Sequence, residues 1–522
     1  MTAQAGVPRA GAIWPVAVFA AVLLVVMRGI TDPDVWTHLT IGREVLHTRG
    51  IPSTEFYVAP LAGTAGHFNE WGYGVLLYLA HQWGGIPALS LVNAAIAAAT
   101  FAILFDIVRM RLGGSPWIAL ALVMLGVWFA DFRLNLRPEM MTYLAVFASL
   151  WAVERYRRDA RLIALAPILV SGLLLPQFHP SILVCLIVVG AHSLDLLRRR
   201  ESLRDFVFVA AATVAAGLIA GINPYGYEQV LLPVRFAFDE SLTAGITELL
   251  PALETEVAGR FLLAAALVVG AFAVTRRQGR IGDLLVAVLF GWLAYRHARN
   301  VALFGLLVLP AVASALGMLR HRWVGRYGPP VALAVSAAIG AQLVGQAKWG
   351  TGLDATATPV RAGEILAGRE LSGPILAFFH LGNYMAWTQY PRAQVIADAR
   401  HFGFNPALQL HDYLFSAPPG WQGELRARRI AAVVTPMTMS LSGEFVPLAL
   451  ALVSSPNWTL VGVERAGLTF VPALPGAPSG LPAAAAWRQA ADELEQNLRD
   501  YPDSAATKKN LEMARMALNI SR

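Results

Sequence analysis

Acidic side chains lie close together in the polar stretch formed by residues 31–71. Asp32 and Asp34 bracket a proline, and Glu70 precedes a tryptophan at the far end of the stretch. Carboxylates of this kind can act as general bases or hold a divalent metal. His38 follows Asp34 by four positions, so both side chains would share one face of a helix and could serve a metal site or a proton relay.

Each of these groups also has a structural interpretation. Asp32 followed by Pro33 matches a helix N-cap with proline at the first helical position, and Asp34 would then lie near the positive end of the helix dipole. Glu70 could anchor a helix to the membrane interface. Two potential ligands do not make a metal site, so His38 could instead be a hydrogen-bonded interfacial histidine. Asp34, Glu70 and Asp32 are therefore candidates for a catalytic carboxylate, and each has a structural alternative.

Composition assigns the chain to the membrane proteins. Of its 522 residues 56% are hydrophobic and only 14% are charged, whereas a soluble chain is usually about 25% charged. Apolar runs of membrane-spanning length recur over roughly the first two thirds. The net charge of +7 comes from arginine clusters between these runs, which set membrane orientation and give no basic stripe suited to nucleic acid.

The arginine clusters predict the topology. About eleven spans can be counted, and the arginine-dense junctions follow the even-numbered ones. Since basic residues favour the cytoplasmic side, the N-terminus is expected inside and the C-terminal region outside. Residues 31–82 then form an external loop, which in a bacterium faces the periplasm. We expect a multi-pass protein of the bacterial inner (cytoplasmic) membrane.

Several arginines fall on the external side despite this rule. Arg296 and Arg299 lie three positions apart, hence on one face if the helix continues through them, and such arginines can bind phosphate bidentately. The alternative is a pair of interfacial arginines that extend towards lipid headgroups. In the preceding external segment, either Arg133 or Arg137 could pair with Glu139 or with acids of the opening loop, while the other meets a donor phosphate.

The character of the chain changes near Ala347. Strand-like and helix-like runs alternate over 347–471, which predicts a small periplasmic α/β domain. Asp398 and Arg400 within it are interpreted as a structural ion pair in preference to a substrate contact. The predicted strands are Pro374–Phe379, Gln394–Ala397, Ile430–Val434, Trp458–Val463 and Leu468–Val471, and the predicted helices are Ala362–Ala367 and Pro406–Phe415.

The last segment, residues 472–522, consists of a Pro/Gly/Ala linker and two helical patterns separated by Pro502. This form resembles one tetratricopeptide unit, which alone is too short for a stable array, so it would dock on the α/β domain or bind a protein partner. The predicted fold class is mostly α. It comprises a polytopic helix bundle (1–346, with external loop 31–82), the α/β domain (347–471), and the linker and helical hairpin (472–522).

Five sequence segments in a shared order resemble a known family. They are DPDVWTHLTIGREVLHTRGIPSTEFY followed by HFNEWGYGVLLYLAHQWGG, then LRPEM, NPYG and RHARNVALFGLLVLP. Over roughly residues 15–410 the chain is similar to the bacterial integral-membrane glycosyltransferases of the C superfamily. That resemblance implies transfer of a sugar from a polyprenyl-phosphate donor to an acceptor, which could be a glycan, a lipid or a protein, at the external membrane face.

The resemblance also implies roles for individual residues. Asp34 would activate the acceptor as a general base or through a divalent metal, although whether a metal is needed is unknown. His179 at a helix junction would face the cavity. Asn223 and Tyr225 are expected to form a turn first and to contact the lipid donor second. The alternative function is a non-catalytic membrane scaffold or lipid-handling protein with the same fold.

Overall fold

The computed structural model describes residues 10–198, 203–238, 247–319, 322–346, 350–400, 405–440, 442–473 and 480–520. This part of the chain is mostly helical and carries one small sheet. In chain order the helices are α1 (Ala10–Val26), α2 (Asp34–Thr48), α3 (Trp71–Arg111), α4 (Pro116–Ala130), α5 (Glu139–Asp159), α6 (Ala166–Phe178), α7 (Ile182–Arg198), α8 (Leu203–Ile219), α9 (Tyr227–Phe238), α10 (Ala258–Thr275), α11 (Ile281–Arg296), α12 (Val301–Met318), α13 (Arg322–Gln346), α14 (Val360–Ala367), α15 (Phe379–Gln389), α16 (Pro406–Phe415), α17 (Trp421–Ala427), α18 (Pro447–Val453), α19 (Ala483–Asp500) and α20 (Ala505–Ile520). The strands are β1 (Ile375–Ala377), β2 (Ala432–Thr435), β3 (Trp458–Glu464) and β4 (Gly467–Pro472).

The long apolar helices identify a multi-pass membrane protein. Among the described residues, four helical segments are long and apolar enough to cross a bilayer by length and composition, and three further apolar segments are shorter. The predicted number of about eleven spans, and the side of the membrane that each end faces, stay predictions. The four long segments are Trp71–Arg111, Pro116–Arg133, Ala258–Thr275 and Ala298–Met318.

Helix α4 shows how local sequence sets the boundaries of a span. Pro116 occupies its first turn, where the missing N–H has no helical partner to lose. An uninterrupted apolar run follows, and the helix gives way at Asp131 to a short 3-10 turn. The interior is tightly packed, because a Cβ on Gly305 of α12 would lie 2.6 Å from the Phe129 ring of α4.

Helix α3 begins earlier than the span predicted to start near Ile86. Its backbone departs from helical geometry at Gly84 and at Gly85, where φ is +62°. Glycine tolerates this conformation, and Pro87 follows it. The predicted span corresponds to the part of α3 after the kink, and the part before it begins next to Glu70.

Residues of the chain cluster into two compact units. The first contains residues 1–30 and 69–352, and the second contains residues 31–68 and 353–522. Residues 31–68, which the sequence analysis assigns to the external loop of the bundle, therefore belong to the same unit as the C-terminal residues. Two features connect them within this unit: α2 packs against α15, and Val58 forms a parallel bridge with Val395.

The sheet of the second unit has the order β1-β2-β4-β3. β1 and β2 are parallel, whereas β2 pairs antiparallel with β4 and β4 forms a hairpin with β3. The predicted helix Pro406–Phe415 is found with the same bounds. The predicted strand Gln394–Ala397 is wrong, because Val395 makes only isolated bridges to Val58 and Ile375.

Helices α19 and α20 form the predicted terminal hairpin. The Glu493 carboxylate accepts hydrogen bonds from the Thr438 backbone N–H at 2.8 Å and from its hydroxyl at 2.7 Å. The Asn510 amide donates to the Gly443 carbonyl at 2.9 Å. The hairpin thus docks on the α/β residues of the second unit. Part of the predicted linker, residues 474–479, lies outside the described residues.

Candidate functional site

The turn that opens α2 holds the first two candidate carboxylates. Asp32 is 6% exposed, and its Oδ1 accepts the backbone N–H of Asp34 at 3.1 Å. Pro33 between them has helical dihedral angles of −68° and −21°. This contact is the one expected of an N-cap aspartate, because a cap oxygen satisfies an N–H of the first helical turn.

Asp34 occupies a different environment at the same turn. Its side chain is half-buried at the start of α2, where the positive end of the helix dipole favours a carboxylate. Its Oδ1 accepts from the Asn383 amide at 3.4 Å. His38, one turn further along the same helix, is 5% exposed and lies among buried neighbours.

A buried ionic cluster supports the loop that follows α2. The Arg400 Nε atom donates to Asp398 at 2.7 Å, and its Nη2 donates to Glu55 at 3.0 Å. The Tyr57 hydroxyl donates to Asp398, and the Arg400 guanidinium stacks 4.3 Å from the Tyr57 ring centroid. The ion pair between Asp398 and Arg400 therefore forms as expected, whereas Glu55 and Tyr57 carried no sequence signal that linked them to it.

Electrostatics hold this cluster in one charge state. Burial raises the pKa of the Tyr57 phenol well above its ordinary value, and the charge of Asp398 raises it further against the opposing effect of Arg400. Burial alone would lower the pKa of the Arg400 guanidinium, but Asp398, Tyr57 and Glu55 raise it above its ordinary value. The phenol stays neutral and the guanidinium stays charged, so the cluster acts as a rigid brace.

Glu70 and His179 lie near each other in the first unit. Glu70 immediately precedes α3, and its Oε1 is 3.7 Å from Nε2 of His179, which terminates α6. The other ring nitrogen of His179 lies 2.9 Å from the Thr142 hydroxyl and 2.6 Å from the Ser181 hydroxyl. A carboxylate, an imidazole and two hydroxyls in sequence can pass or hold a proton.

The predicted arginines of the next segment are paired with acids. Arg133 bonds to Glu139, and its Nη1 lies 2.6 Å from Glu248. Arg137 donates to both oxygens of Glu248, at 2.9 and 3.2 Å. The pairing of Arg133 with Glu139 was one of the expected alternatives. The bond between Arg137 and Glu248 could not be anticipated, because these residues are far apart in the chain.

Glu248 is held as an anion by the arginines around it. Burial alone would raise the pKa of its carboxyl, but Arg133, Arg137 and Arg299 bring that pKa below its ordinary value. Its side chain is 38% exposed, and it lies in a short 3-10 turn over residues 247–249. A carboxylate surrounded by guanidinium groups marks a position that suits an anion.

Arg296 and Arg299 do not share a helix. Helix α11 ends at Arg296, His297 has an extended backbone with φ of −141° and ψ of 116°, and a 3-10 turn follows over residues 298–300. The condition for a common helical face is therefore not met. Arg296 is exposed, while Arg299 is half-buried and close enough to lower the pKa of Glu248.

Asn223 forms the turn that its sequence predicts. Its side-chain amide donates to the carbonyls of Ala220 at 2.7 Å and Gly226 at 2.9 Å, and its Oδ1 accepts the N–H of Tyr225 at 2.8 Å. These three bonds use the side chain for backbone geometry, as an Asx turn does. A contact with a lipid donor stays a prediction for both residues.

The candidate residues therefore fall into two groups, one in each compact unit. Asp32, Asp34 and His38 belong to the second unit, and the remaining candidates belong to the first. Among the described residues, no group of three or more His, Cys, Asp or Glu side chains is arranged to hold a metal ion. A metal at Asp34 thus rests on that carboxylate alone and stays a hypothesis.

Comparison with known proteins establishes the fold. Neither a protein-family model nor a curated protein sequence matches the chain significantly. Among solved structures it is similar to the archaeal oligosaccharyltransferase AglB from Archaeoglobus fulgidus in complex with an inhibitory peptide and a dolichol-phosphate, with 11% identity, 90% of this chain and 75% of that chain covered, and a TM-score of 0.58. The apo form of the Archaeoglobus fulgidus oligosaccharyltransferase gives 12% identity, 89% and 75% coverage, and a TM-score of 0.54. ArnT from Cupriavidus metallidurans in the apo state gives 13% identity, with 88% of this chain and 97% of that chain covered, and a TM-score of 0.42.

The two oligosaccharyltransferase structures confirm the family resemblance at the level of fold. Their agreement extends over nine tenths of this chain and thus includes both compact units. The chain has the fold of these oligosaccharyltransferase structures.

Proposed function

We propose that this protein is a membrane glycosyltransferase that moves a sugar from a polyprenyl-phosphate donor to an acceptor at the periplasmic face. The observation that carries the proposal is the fold similarity to an oligosaccharyltransferase over 90% of the chain. The dolichol-phosphate and the inhibitory peptide in that complex support a lipid-linked donor and a separate acceptor here. A fold can host several functions, so the chemistry must be argued from the residues.

Asp34 supports the acceptor half of the reaction. In the transfer, the bond between the sugar C1 and the donor phosphate oxygen breaks, and a new bond forms between C1 and the acceptor heteroatom. The acceptor proton passes to a carboxylate, and the polyprenyl phosphate leaves with the electron pair of the broken bond. Asp34 is half-buried at a helix N-terminus, where its ionised form, the one that accepts a proton, is favoured.

The arginines of the first unit support the donor half. Arg133, Arg137 and Arg299 surround the Glu248 carboxylate, which is partly exposed. A phosphate is also an anion, so it could take the place of that carboxylate and accept bidentate hydrogen bonds from the arginines. Stabilising the leaving phosphate in this way lowers the barrier to departure. Glu70 with His179 is the second candidate for proton transfer.

The function is tested by turnover in the full-length protein. Purified protein in nanodiscs is mixed with a panel of undecaprenyl-phosphate-linked hexoses and pentoses and with candidate acceptors, and released undecaprenyl phosphate is measured. We expect release with at least one donor, dependent on the acceptor. Binding of undecaprenyl phosphate without turnover of any donor would instead support the non-catalytic, lipid-handling alternative.

A further inference from the structure

Asn383 lies between α2 and the α/β residues of the second unit. It is fully buried, with 0% of its surface exposed, on helix α15. This helix packs against α2, and the Tyr384 ring next to Asn383 meets the Trp36 ring edge-on at 4.7 Å. A buried amide must satisfy both its oxygen and its nitrogen, so its orientation can be deduced from its neighbours.

The oxygen of Asn383 is fixed by a backbone donor. The Ala399 N–H donates to Asn383 Oδ1 at 2.9 Å. A reversed amide would present its NH2 group to this N–H, and two donors cannot pair. The Asn383 NH2 group therefore points the other way, where the Pro33 carbonyl lies at 3.1 Å and Asp34 Oδ1 at 3.4 Å.

A close backbone approach holds α15, and with it Asn383, against residues 397–399. A Cβ on the adjacent Gly382 would lie 2.3 Å from the Ala397 carbonyl oxygen, so only glycine permits this contact between α15 and residues 397–399. The neighbouring Asp398 is in turn held by Tyr57 and Arg400. The segment that fixes the Asn383 oxygen is therefore itself held by hydrogen bonds to Tyr57 and Arg400.

We propose that Asn383 is a positioning residue for Asp34 and that the C-terminal α/β residues thereby complete the candidate catalytic turn. This inference rests on the proposed function. A neutral amide donor fixes the direction of the carboxylate and leaves its negative charge in place. A lysine or an arginine at this position would neutralise that charge. It also donates to the Pro33 carbonyl, so the backbone and the side chain of the turn are held by one group.

The variant Asn383→Asp tests this role with minimal change in shape. The new side chain can still accept from the Ala399 N–H, but it loses the donor and brings a second negative charge towards Asp34. With a donor identified from the panel, we expect kcat to fall about tenfold or more while KM for the donor changes less than about twofold. The acidic limb of the pH–rate profile should move to higher pH, because a nearby negative charge favours protonation of Asp34.

Asn405→Asp is the matched control. Asn405 caps α16 and, like Asn383, accepts a backbone N–H through its Oδ1; its donor is Ala407, two positions away, at 2.8 Å. Aspartate caps a helix as well as asparagine does, so this variant should retain the kcat and the pH profile of the unaltered protein. An unchanged kcat and pH profile in Asn383→Asp would overturn the proposal.

A second measurement keeps the inference testable without turnover. Asn383→Asp should speed amide hydrogen exchange over residues 33–40 and lower Tm by about 3–6 °C. Adding Asp34→Asn removes the charge repulsion and should restore most of the lost Tm, so the two changes are not additive. Additive effects on Tm would overturn the positioning role. An absence of turnover in the unaltered protein would contradict only the proposed function, because the Tm and hydrogen-exchange measurements do not depend on turnover.

Discussion

At the scale of single residues, the two aspartates of the α2 turn have different partners. Asp32 is buried and its oxygen accepts the N–H of the first helical turn. Asp34 is half-buried and meets a side-chain donor at 3.4 Å. The contact of Asp32 with the Asp34 N–H is a capping contact, whereas the contact of the Asp34 side chain with Asn383 is not.

This difference makes Asp32→Asn a decisive variant. Asparagine keeps the oxygen that caps α2 but removes the charge that a base needs, so we expect turnover within about threefold of the unaltered protein. Asp32→Ala removes the cap as well and should cost about 1 kcal/mol of stability. Both values come from turnover assays and thermal unfolding of the full-length protein. A loss of turnover in the Asn variant at unchanged Tm would assign Asp32 to catalysis.

At the scale of elements, the 3-10 turn at residues 247–249 brings an acid to the arginines that follow α4. Glu248 pairs with Arg133 and Arg137 across more than a hundred residues of sequence. Its carboxylate neutralises guanidinium groups that would otherwise be available to a phosphate. The turn therefore sets how strongly this cluster attracts an anion.

Glu248→Gln should strengthen the binding of a lipid phosphate. Removing the charge takes one neutralising carboxylate away from Arg133 and Arg137, so we expect undecaprenyl phosphate to bind several-fold more tightly, with a steeper dependence on salt. Glu254→Gln, which alters an exposed carboxylate of the same segment, is the control and should leave binding unchanged. Binding is measured by intrinsic fluorescence in nanodiscs. Weaker binding in the Glu248 variant would show that these arginines do not receive the phosphate.

The same scale shows what the sequence can and cannot predict. The bounds of α4 and α16 follow from proline in the first turn of an apolar or amphipathic run. Helix α15 escapes prediction because Gly382 weakens its pattern, although that glycine is needed for close packing against Ala397. The break at His297 also escapes, because it depends on bonds from Ala298 and His297 to the distant carbonyls of Leu250 and Leu249.

In the candidate site too, local features can be predicted from the sequence and long-range contacts cannot. The acids and histidine of the opening stretch can be identified because their types and spacing are local. Their supports cannot, since Asn383 lies 349 residues from Asp34 and Glu248 lies 111 residues from Arg137, and a single sequence carries no record of such pairs. Long-range partners need the fold before they can be assigned.

At the scale of the whole molecule, a buried ionic network supports the first unit. Arg111 at the end of α3 donates to Asp283 at 2.6 and 2.7 Å and to Glu154 at 2.8 Å. Arg280 bonds to the same Glu154. Helices α3, α5 and α11 are thus joined by charged side chains that are at most 5% exposed. Water cannot replace a lost partner at such buried positions.

Arg111→Met should therefore destabilise the bundle strongly. It removes both Arg111 hydrogen bonds from the buried Asp283 and leaves Glu154 with Arg280, which costs about 3–5 kcal/mol. Arg155→Met breaks a solvent-exposed pair with Asp159 and should cost no more than about 0.5 kcal/mol. Thermal unfolding in detergent measures both. Equal losses would mean that the network contributes no more than a surface pair.

The second unit should lose stability in mild acid through His380. Burial, together with the nearby charge of His411, lowers the pKa of this imidazole to about 4. An unfolded histidine has a pKa of about 6.5, so the unfolded state binds more protons between roughly pH 4 and 6.5. Stability contributed by His380 is therefore complete above this window and is lost as the pH falls through it.

His380→Gln should flatten this dependence. We expect the difference in Tm between pH 7 and pH 4.5 to be smaller in the variant than in the unaltered protein, because glutamine does not titrate. The carboxylates of the chain titrate in both proteins and cancel in the comparison. An identical fall in Tm in both proteins would show that His380 is protonated in the folded state.

The proposed role of Asp34 is to activate an acceptor towards a lipid-linked sugar, and the variant Asp34→Asn removes the carboxylate that this role requires. Full-length protein in nanodiscs, supplied with the donor and acceptor identified from the panel, is assayed for release of undecaprenyl phosphate. Loss of a general base should lower the rate about a hundredfold or more, with Tm within a few degrees of the unaltered protein. A folded Asp34→Asn variant that releases undecaprenyl phosphate at the unaltered rate would show that Asp34 is not the base.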